Sequence, residues 1–404
     1  MQICHVTPIY LPGILPGCSK YVRDISELLA QRGHTVTVVT ADAITGRGWV
    51  DPLYGKYAGK NKEVIDGVHI HRLRTQWFVT SSLYLAGKTL GGLLPSRLGN
   101  KVSLLSAGPH LAGLQEELDR GGCEAIHVTA FPFAIVWLVW KACQALRKPF
   151  ICTPLIHFED PRHRNPLLWR VLRDASAVIA CSRFEKEGMV RMGIPPSRIH
   201  VIPMGINLEK WKDPDGERFR RKHHLEGRTL ALFTGTKDYN KGAIHVLRVV
   251  DQLAGKMKDL TLVSMGLATP EWREALRRLP QIPLLDLGYA PEDEKQDAFD
   301  ACDLFVMPSR YDSFGIVYLE AWRCGKPVIG ARVGAVAEVI EDGKNGLLVE
   351  FGDEEQLASA ILSLVQNPEL RVSLGESGKK RVIERFNWQE NIGKVEEVFR
   401  GARG

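Results

Sequence analysis

The sequence has no apolar run of the roughly 18–20 residues that a membrane-spanning helix requires. Its longest candidate, Phe131–Trp140, contains a proline and ends before Lys141. There is no Cys-x-x-Cys pair, so the 8 cysteines are interpreted as free thiols in a reducing compartment and not as a disulfide frame or a zinc site. The first residues show no basic segment and no small-residue cleavage site, and we expect no signal peptide. These absences predict a cytoplasmic protein.

Two phosphate-binding signatures are missing as well. The chain contains neither Gly-x-x-x-x-Gly-Lys-Ser/Thr nor a Gly-x-Gly-x-x-Gly that follows a strand, which argues against a kinase, an ATPase and a simple dehydrogenase. Basic residues are not interleaved with aromatic residues in a repeating way, so we expect no nucleic-acid partner. What is present is 404 residues, 45% apolar and 25% charged, which is typical of an ordinary globular protein with two domains.

Charge is shared unevenly between the two halves of the chain. Residues 1–200 hold 24 Lys and Arg against 15 Asp and Glu, a net of +9, and the remainder holds 29 against 32, a net of −3. One interpretation is a random fluctuation of surface charge. The other is a first half that faces an anionic acceptor or the anionic inner face of a membrane.

The apolar pattern predicts two series of strands alternating with helices. The first series includes Ile3–Val6, Thr35–Thr40 and Ala125–Val128, and the rhythm restarts near residue 229 with Leu230–Thr234. Such alternation predicts parallel βαβ units, and hence an α/β protein with two doubly wound, Rossmann-like domains and a cleft between them. We expect an N-terminal domain over residues 1–205 and a C-terminal domain over 206–385. A last helix over 386–404 is expected to cross back to the first domain.

The segment 77–94 is apolar, with small residues and a single lysine. It predicts either a buried helix of the first domain or a segment that faces the acceptor or dips into a membrane.

The most informative stretch is the segment 308–329, where a strand ends at a proline and a helix begins near residues 314–316. A helix N-terminus offers amides without intrahelical partners and suits an anion such as a diphosphate. Asp312 lies in the loop before the helix, and Glu320 lies further along it. Both carboxylates can accept hydrogen bonds from the hydroxyls of one elongated ligand. The alternative is that Asp312 caps the helix and Glu320 is an exposed helix residue.

This stretch resembles the signature of glycosyltransferase family 4, in which two acids are separated by seven residues. Asp312 and Glu320 have that spacing, although the family usually has Glu at the first position. The sequences Ser-Phe-Gly-Ile-Val and Gly-Lys-Pro-Val-Ile also match closely. The resemblance implies that Asp312 binds hydroxyls of the donor sugar and Glu320 binds the nucleotide ribose. It further implies that the backbone of the residues between them holds sugar and phosphate, at Ser313, Phe314, Gly315, Ile316 and Val317.

A second motif joins a strand to a glycine turn and two lysines, from Phe233 to Gly242. It resembles the Gly-Arg…Lys-Gly element of the same family, with Thr236 at or near the place of the arginine. The resemblance implies that Lys241 binds the donor diphosphate and makes Lys237 a second candidate, because lysines neutralise the charge that develops as the sugar leaves. The alternative is a solvated turn.

Further matches extend the resemblance over most of the chain. Pro16-Gly17 stands where the family has a Gly-Gly pair, so the approach of this loop to phosphate would depend on Gly17. His157 follows a strand, as does the family's histidine that faces the donor sugar, and Gly288 and Tyr289 match the loop near which the base lies. The neighbours of His157 could line the acceptor site: Glu159, Asp160, Arg162, His163 and Arg164.

The resemblance implies a retaining hexosyltransferase with the GT-B fold that takes a nucleotide-diphosphate sugar as donor. The acceptor would be a glycan, a lipid-linked molecule or a small molecule, and no metal or other cofactor is expected, because lysines and helix termini replace the metal ion. Catalysis is expected to involve His157, Lys241, Asp312 and Glu320. Two alternatives stay open: a sugar phosphorylase or nucleotide-sugar epimerase on the same fold, and a non-catalytic protein that binds nucleotide sugars.

Overall fold

The structure is a computed structural model and describes residues 1–10, 17–43, 59–90, 94–129, 131–211, 213–279 and 281–402. The chain forms two compact units. The first combines Met1–Pro203 with Gln389–Gly404, and the second is Met204–Trp388. These boundaries lie close to residues 205 and 385, where the sequence places them, and the C-terminal segment is part of the first unit.

The N-terminal unit is built on one eight-stranded sheet with the order β3-β4-β2-β1-β5-β6-β7-β8. Its strands are β1 (Gln2–Val6), β2 (Thr35–Ala41), β3 (Lys62–Ile65), β4 (Val68–Leu73), β5 (Ala125–Val128), β6 (Phe150–Cys152), β7 (Ala177–Ala180) and β8 (Ile199–Val201). Every strand pairs in parallel except β3, which pairs with β4 in antiparallel fashion. The central strands are buried along their whole length, as is usual where helices cover both faces of a parallel sheet.

Strand β3 is missing from the sequence prediction, although its turn carries a clear signal. Asp66 and Gly67 join β3 to β4, and both have positive φ angles of 49° and 79°. A two-residue Asp-Gly connection is the commonest signature of a tight hairpin.

Among the described residues, eight α-helices belong to the N-terminal unit for most of their length: α1 (Gly17–Gln31), α2 (Trp77–Leu90), α3 (Ser96–Ser106), α4 (Leu114–Arg120), α5 (Ala134–Leu146), α6 (Pro166–Asp174), α7 (Arg183–Arg191) and α16 (Trp388–Gly401). Helix α16 is attached through its buried Phe399, whose ring lies 5.6 Å from the rings of both His5 and His127. Glu396 on the same helix binds Arg32 at 2.8 Å.

The C-terminal unit has a second, entirely parallel sheet with the order β11-β10-β9-β12-β13-β14. Its strands are β9 (Thr229–Thr234), β10 (Leu260–Met265), β11 (Leu284–Asp286), β12 (Leu304–Met307), β13 (Val328–Ala331) and β14 (Gly346–Val349). Its helices are α8 (Gly216–His223), α9 (Ala243–Ala254), α10 (Pro270–Arg278), α11 (Glu292–Ala301), α12 (Ile316–Arg323), α13 (Val336–Val339), α14 (Glu354–Gln366) and α15 (Pro368–Arg385).

The prediction of two doubly wound α/β domains is confirmed. In the described part of the chain, no helix combines the length and the apolarity needed to cross a bilayer.

Candidate active site

Two loops meet at the carboxyl edge of the C-terminal sheet. One follows β9 and the other follows β12, and these strands are neighbours although β10 and β11 intervene in the sequence. The strand order reverses between them, because β10 and β11 lie on one side and β13 and β14 on the other. Open α/β sheets bind ligands in the crevice that such a reversal leaves. The two sequence motifs that are predicted to bind phosphate, in segments 233–242 and 308–329, include these two loops.

The two loops touch through their backbones. The amide of Arg310 donates a hydrogen bond to the carbonyl of Asn240 at 2.7 Å. Gly242 has a φ of 76°, and a Cβ atom built on it would lie 2.3 Å from the carbonyl oxygen of Pro308. Only glycine fits there, so this close approach requires the Lys-Gly pair of the motif.

Lys241 and Asp312 bring opposite charges together across the two loops. The Lys241 ammonium lies 2.8 Å from Oδ2 of Asp312 and 3.4 Å from the carbonyl oxygen of Tyr311. The backbone amide of Lys241 donates to Oδ1 of Asp238 at 2.7 Å, which fixes the turn that carries the lysine. The side chain of Lys241 is 30% exposed and that of Asp312 is 11% exposed. An entering ligand can therefore reach this pair.

Helix α12 begins beside this pair without a side-chain cap. Its N-cap residue is Gly315, with a φ of 86°, whereas helices such as α10 and α14 begin at Thr269 and Asp353, whose side chains accept from the first turn. The hydroxyl of Tyr318 donates to the carbonyl of Met307 at 2.6 Å and so fixes the helix to the end of β12. The first amides of a helix have no partner four residues back, and an uncapped helix start of this kind suits an anion.

The residues between the two acids differ in exposure. Phe314 is buried, with its ring 5.5 Å from that of Phe386, and Ile316 is also buried, while Ser313 and Val317 are partly exposed. The amide of Phe314 donates to Oδ1 of Asp312 at 3.3 Å. Asp312 therefore closes the turn before the helix with one oxygen and contacts Lys241 with the other. The alternative that Asp312 caps the helix is wrong, because α12 has no side-chain cap.

Glu320 is completely buried, with no exposed side-chain area, and its Oε1 lies 2.8 Å from the ammonium of Lys295 on α11. The alternative that Glu320 is an exposed helix residue is wrong. A carboxylate in this position needs a charged partner, because removing it from water is costly. Lys295, whose side chain is 23% exposed, supplies that partner from the solvent side.

The structure does not bring Lys237 into this cluster. Lys237 is only 1% exposed, and its ammonium donates to Oδ1 of Asp286 and to the carbonyl of Leu287. Burial alone would raise the pKa of Asp286, but hydrogen bonds from Lys237, Ser264 and Trp272 outweigh it and hold that pKa below its usual value. The ammonium of Lys237 is thus committed to the ends of β10 and β11. These partners are different from those of Lys241.

Gly288 and Tyr289 follow β11 on the same sheet edge. The carbonyl of Gly288 accepts from the amide of Gly266 at 3.0 Å, which ties the loop to the end of β10. Tyr289 is 60% exposed. Its ring is therefore accessible for stacking on a planar group.

Comparisons with known proteins agree with this geometry. The family model described as "Glycosyltransferase Family 4" matches residues 17–210, and the one described as "Glycosyl transferases group 1" matches residues 215–381. The chain belongs to glycosyltransferase family 4.

Curated relatives support the assignment. An alpha-maltose-1-phosphate synthase of Mycolicibacterium smegmatis is 29% identical over 245 residues, which are 56% of this chain and 63% of the relative. A D-inositol 3-phosphate glycosyltransferase of Xylanimonas cellulosilytica is 28% identical over 99% of this chain and 95% of its own length. The match to the first of these spans less than two thirds of that relative.

Solved structures share the fold along the whole chain. Sucrose-phosphate synthase from Thermosynechococcus elongatus has a TM-score of 0.74 at 21% identity, covering 99% of this chain and 98% of its own. HepE from Anabaena, solved with UDP and glucose, has a TM-score of 0.73 at 19% identity, covering 99% of both chains. The predicted GT-B fold is confirmed.

Two expected site residues of this family 4 protein lie in the N-terminal unit. Gly17 is the first residue of α1, and a Cβ atom built on it would meet no described atom within 4 Å. Its neighbour Pro16 lies outside the described residues. His157 follows β6, and its backbone amide donates to Nδ1 of His163 at 3.2 Å. Burial lowers the pKa of His163 to about 3, so that ring is neutral and able to accept.

The segment after His157 is internally paired. Asp160 accepts from the amide of Arg162 at 2.9 Å and forms an ion pair with its guanidinium at 2.6 Å. Arg164 donates to the carbonyl of Phe158 at 3.1 Å. Both arginines keep exposed side chains.

Sequence reasoning missed two residues that support the site. Lys295 is one, because a lone lysine on a helix gives no indication of its partner. The other is Glu185 on α7, which is buried and accepts from the amides of Ile156 and Cys181 at 2.8 Å each. It thereby fixes the chain immediately before His157. The spacing of Ser182 and Glu185, typical of a helix capping box, was a signal that could have singled it out.

Proposed function

We propose that this chain is a retaining hexosyltransferase that takes a nucleotide-diphosphate sugar as donor. The observation that carries the proposal is the contact of Lys241 with Asp312 at 2.8 Å, across two loops that meet beside the uncapped start of α12. A cation, bare helix amides and carboxylates at one sheet edge suit a ligand that combines a diphosphate with hydroxyl-rich sugars. The donor is assigned to the C-terminal unit and the acceptor to the N-terminal unit.

In the proposed reaction, the amides at the start of α12 and the Lys241 ammonium bind the diphosphate. They stabilise the negative charge that grows on it as the bond between the sugar C1 and the phosphate oxygen breaks. Asp312 accepts hydrogen bonds from hydroxyls of the sugar, and Glu320 accepts from the ribose. The bond between C1 and the acceptor oxygen forms on the same face, through an oxocarbenium-like state. The acceptor proton passes to the departing phosphate oxygen.

Several finer features belong to the same proposal. His157 contacts the donor sugar from the N-terminal unit, and Tyr289 stacks on the base. The reaction uses no metal ion, because Lys241 and the helix amides supply the positive charge. The solved relative HepE holds UDP and glucose, and another relative is named for its dependence on GDP-mannose, so the base of the donor is left open. A cytoplasmic location and an association of the basic N-terminal half with an anionic membrane complete the proposal.

A thermal-shift screen of the full chain against UDP, GDP and ADP and their sugars identifies the donor, since a ligand that binds only the folded state stabilises it. The donor so found is then used in transfer assays with K241M and with K344M as the matched control. Lys344 is a 75% exposed lysine that pairs with Glu341 on the surface. K241M is expected to lower transfer about 10²- to 10³-fold. Equal activity of the two variants would refute the proposed site.

Product analysis separates the remaining alternatives. A phosphorylase would release sugar phosphate only when inorganic phosphate is present, and an epimerase would change the sugar while leaving it on the nucleotide. A glycosyl product with retained anomeric configuration, formed without added phosphate, supports the proposal. Tight donor binding without turnover on any acceptor would instead indicate a non-catalytic binding protein.

A further inference from the structure

Helix α2 presents its large apolar side chains to the solvent. Phe78 is 68% exposed, Leu85 is 61% exposed and Tyr84 is 53% exposed. At 100° per residue these three residues fall within one sector of about 120°, so they form a stripe along one side of the helix. An ordinary surface helix turns such a stripe toward the core. The expectation that this segment is simply a buried helix is therefore wrong.

The reason lies on the opposite side of the helix, which is made of small groups. A Cβ atom built on Gly87 would lie 3.5 Å from Cβ of Ser106 and 3.7 Å from the side chain of Val102, both on α3. Thr80 is buried, and its hydroxyl lies 3.2 Å from Nδ1 of His110. Helix α2 thus approaches α3 closely at Gly87 and contacts His110 through Thr80, and this packing leaves the large apolar groups outside.

Exposed apolar side chains are concentrated on this pair of helices. Among the described residues, 14 large apolar side chains are exposed, and six of them lie between residues 77 and 98. The six are Trp77, Phe78, Val79, Tyr84, Leu85 and Leu98. A cluster of this kind marks an interaction surface, whereas single exposed apolar residues such as Val372 and Ile383 on α15 are ordinary.

The charge of the same helices identifies the partner. Neither α2 nor α3 contains an acidic residue, while Lys88, Arg97 and Lys101 are all exposed. Lys88 lies in the same sector of α2 as Tyr84 and Leu85. A second copy of this surface would oppose these cations with cations, whereas anionic headgroups would neutralise them. Apolar side chains flanked by lysine and arginine suit the boundary between headgroups and acyl chains.

We propose that the α2–α3 surface, defined by Phe78, Tyr84, Leu85, Lys88, Arg97, Leu98 and Lys101, docks on an anionic phospholipid bilayer. The aromatic and aliphatic side chains enter the interface, and the three cations contact lipid phosphates. This surface deepens the membrane association included in the proposed function. Vesicle binding tests it separately from sugar transfer.

The test is flotation of the full chain with vesicles of phosphatidylcholine alone or mixed equally with phosphatidylglycerol. The wild type is expected to float with the anionic vesicles only, and less so in about 0.5 M salt, because salt screens the headgroup attraction. The variant K88E/R97E/K101E should lose at least about a hundredfold in partitioning, since each basic residue near the surface contributes roughly a factor of five and the new carboxylates add repulsion. F78S/Y84S/L85S should lose a comparable amount, while V372S/I383S should float like the wild type.

The outcomes that overturn the proposal are distinct. Equal flotation with both vesicle types would show that anionic headgroups are not recognised, and unchanged flotation of both triple variants would show that another surface binds. If the wild type does not float but dimerises in sedimentation experiments, and F78S/Y84S/L85S abolishes the dimer, the surface binds a second copy. Each variant is also tested for thermal stabilisation by the donor nucleotide. A retained shift shows that the fold and the donor site are intact, so that failure of membrane binding is not confused with failure of the proposed activity.

Discussion

The two residues of the Lys295–Glu320 ion pair should contribute unequally to stability. The two side chains are joined at 2.8 Å, but Glu320 has no exposed side-chain area while the side chain of Lys295 is 23% exposed. Replacing Lys295 with methionine keeps the volume and removes a cation from a buried carboxylate. Replacing Glu320 with glutamine leaves an ammonium that can turn toward water. The first change should therefore cost more than the second.

The magnitudes follow from this difference in exposure. Removing one partner of a buried pair costs about 3–5 kcal/mol, and partial access of water to Lys295 places K295M near the lower end, at about 3 kcal/mol. E320Q keeps a hydrogen-bonding side chain of the same shape and should cost about 1 kcal/mol. The double variant K295M/E320Q buries no charge at this position and should cost about 1 kcal/mol as well. The coupling between the two sites is then about 3 kcal/mol.

Hydrogen–deuterium exchange in urea, read on peptides from α11 and α12, reports the free energy of opening of the C-terminal unit alone. K380M is the matched control, because Lys380 pairs with Glu384 at 3.8 Å on the surface, with both side chains more than half exposed. It should change stability by less than about 0.5 kcal/mol. The reasoning fails if K295M costs no more than K380M, or if E320Q costs more than K295M.

Three further predictions concern the donor site, the N-terminal unit and the C-terminal helix. D312N releases Lys241 from its ion pair, so nucleoside diphosphate should bind at least as tightly by calorimetry while sugar transfer falls at least tenfold; a parallel loss of both would contradict the assigned roles. Burial raises the pKa of Glu185 to about 7, above its unfolded value, so the stability it contributes is complete below about pH 4.5 and lost as the pH rises through 7. In urea titrations the free energy of unfolding of E185Q relative to the wild type should therefore rise by about 3 kcal/mol between pH 4.5 and 8. Parallel pH profiles of the two proteins would argue against a protonated Glu185. E396Q removes the negative charge that pairs with Arg32 and should cost about 1 kcal/mol and speed amide exchange in α16, whereas unchanged exchange would show that this ion pair does not hold the helix.

Local sequence patterns predicted most strands and helices of this fold, because a strand buried in a parallel sheet is a short run of apolar residues. The strands of both sheets are short apolar runs, and the turns and helices between them have the expected spacing. The meeting of Lys241 with Asp312 depends on β9 lying next to β12. That adjacency is a property of the strand order, which the sequence pattern alone does not define. Only the family resemblance pointed to both residues together.

The residues that sequence reasoning misplaced have partners on other elements. Lys237 looks like a phosphate ligand because it stands beside a glycine turn, yet Asp286, from a strand 49 positions further on, binds it in the interior. Helix α2 looks like core because it is apolar, yet its side with Gly87 faces α3 and its large apolar side chains face the solvent. In both cases the sequence gives the chemical character of the side chains. Their contacts depend on partners from distant parts of the chain, which only the tertiary structure shows.

The two ion pairs of the donor site give the proposed mechanism an internal order. Each acid is paired with a lysine from a different element: Asp312 with Lys241 and Glu320 with Lys295. These four side chains together carry no net charge, so the positive end of α12 is the feature that first attracts a diphosphate. In the proposed mechanism the Lys241 ammonium, which has three donors, turns toward the phosphate, and the carboxylate of Asp312 then accepts the sugar hydroxyls. In this proposal one rearrangement of Lys241 and Asp312 prepares both halves of the donor. The 2.8 Å contact shows that the aspartate, one methylene shorter than the usual glutamate, still reaches Lys241.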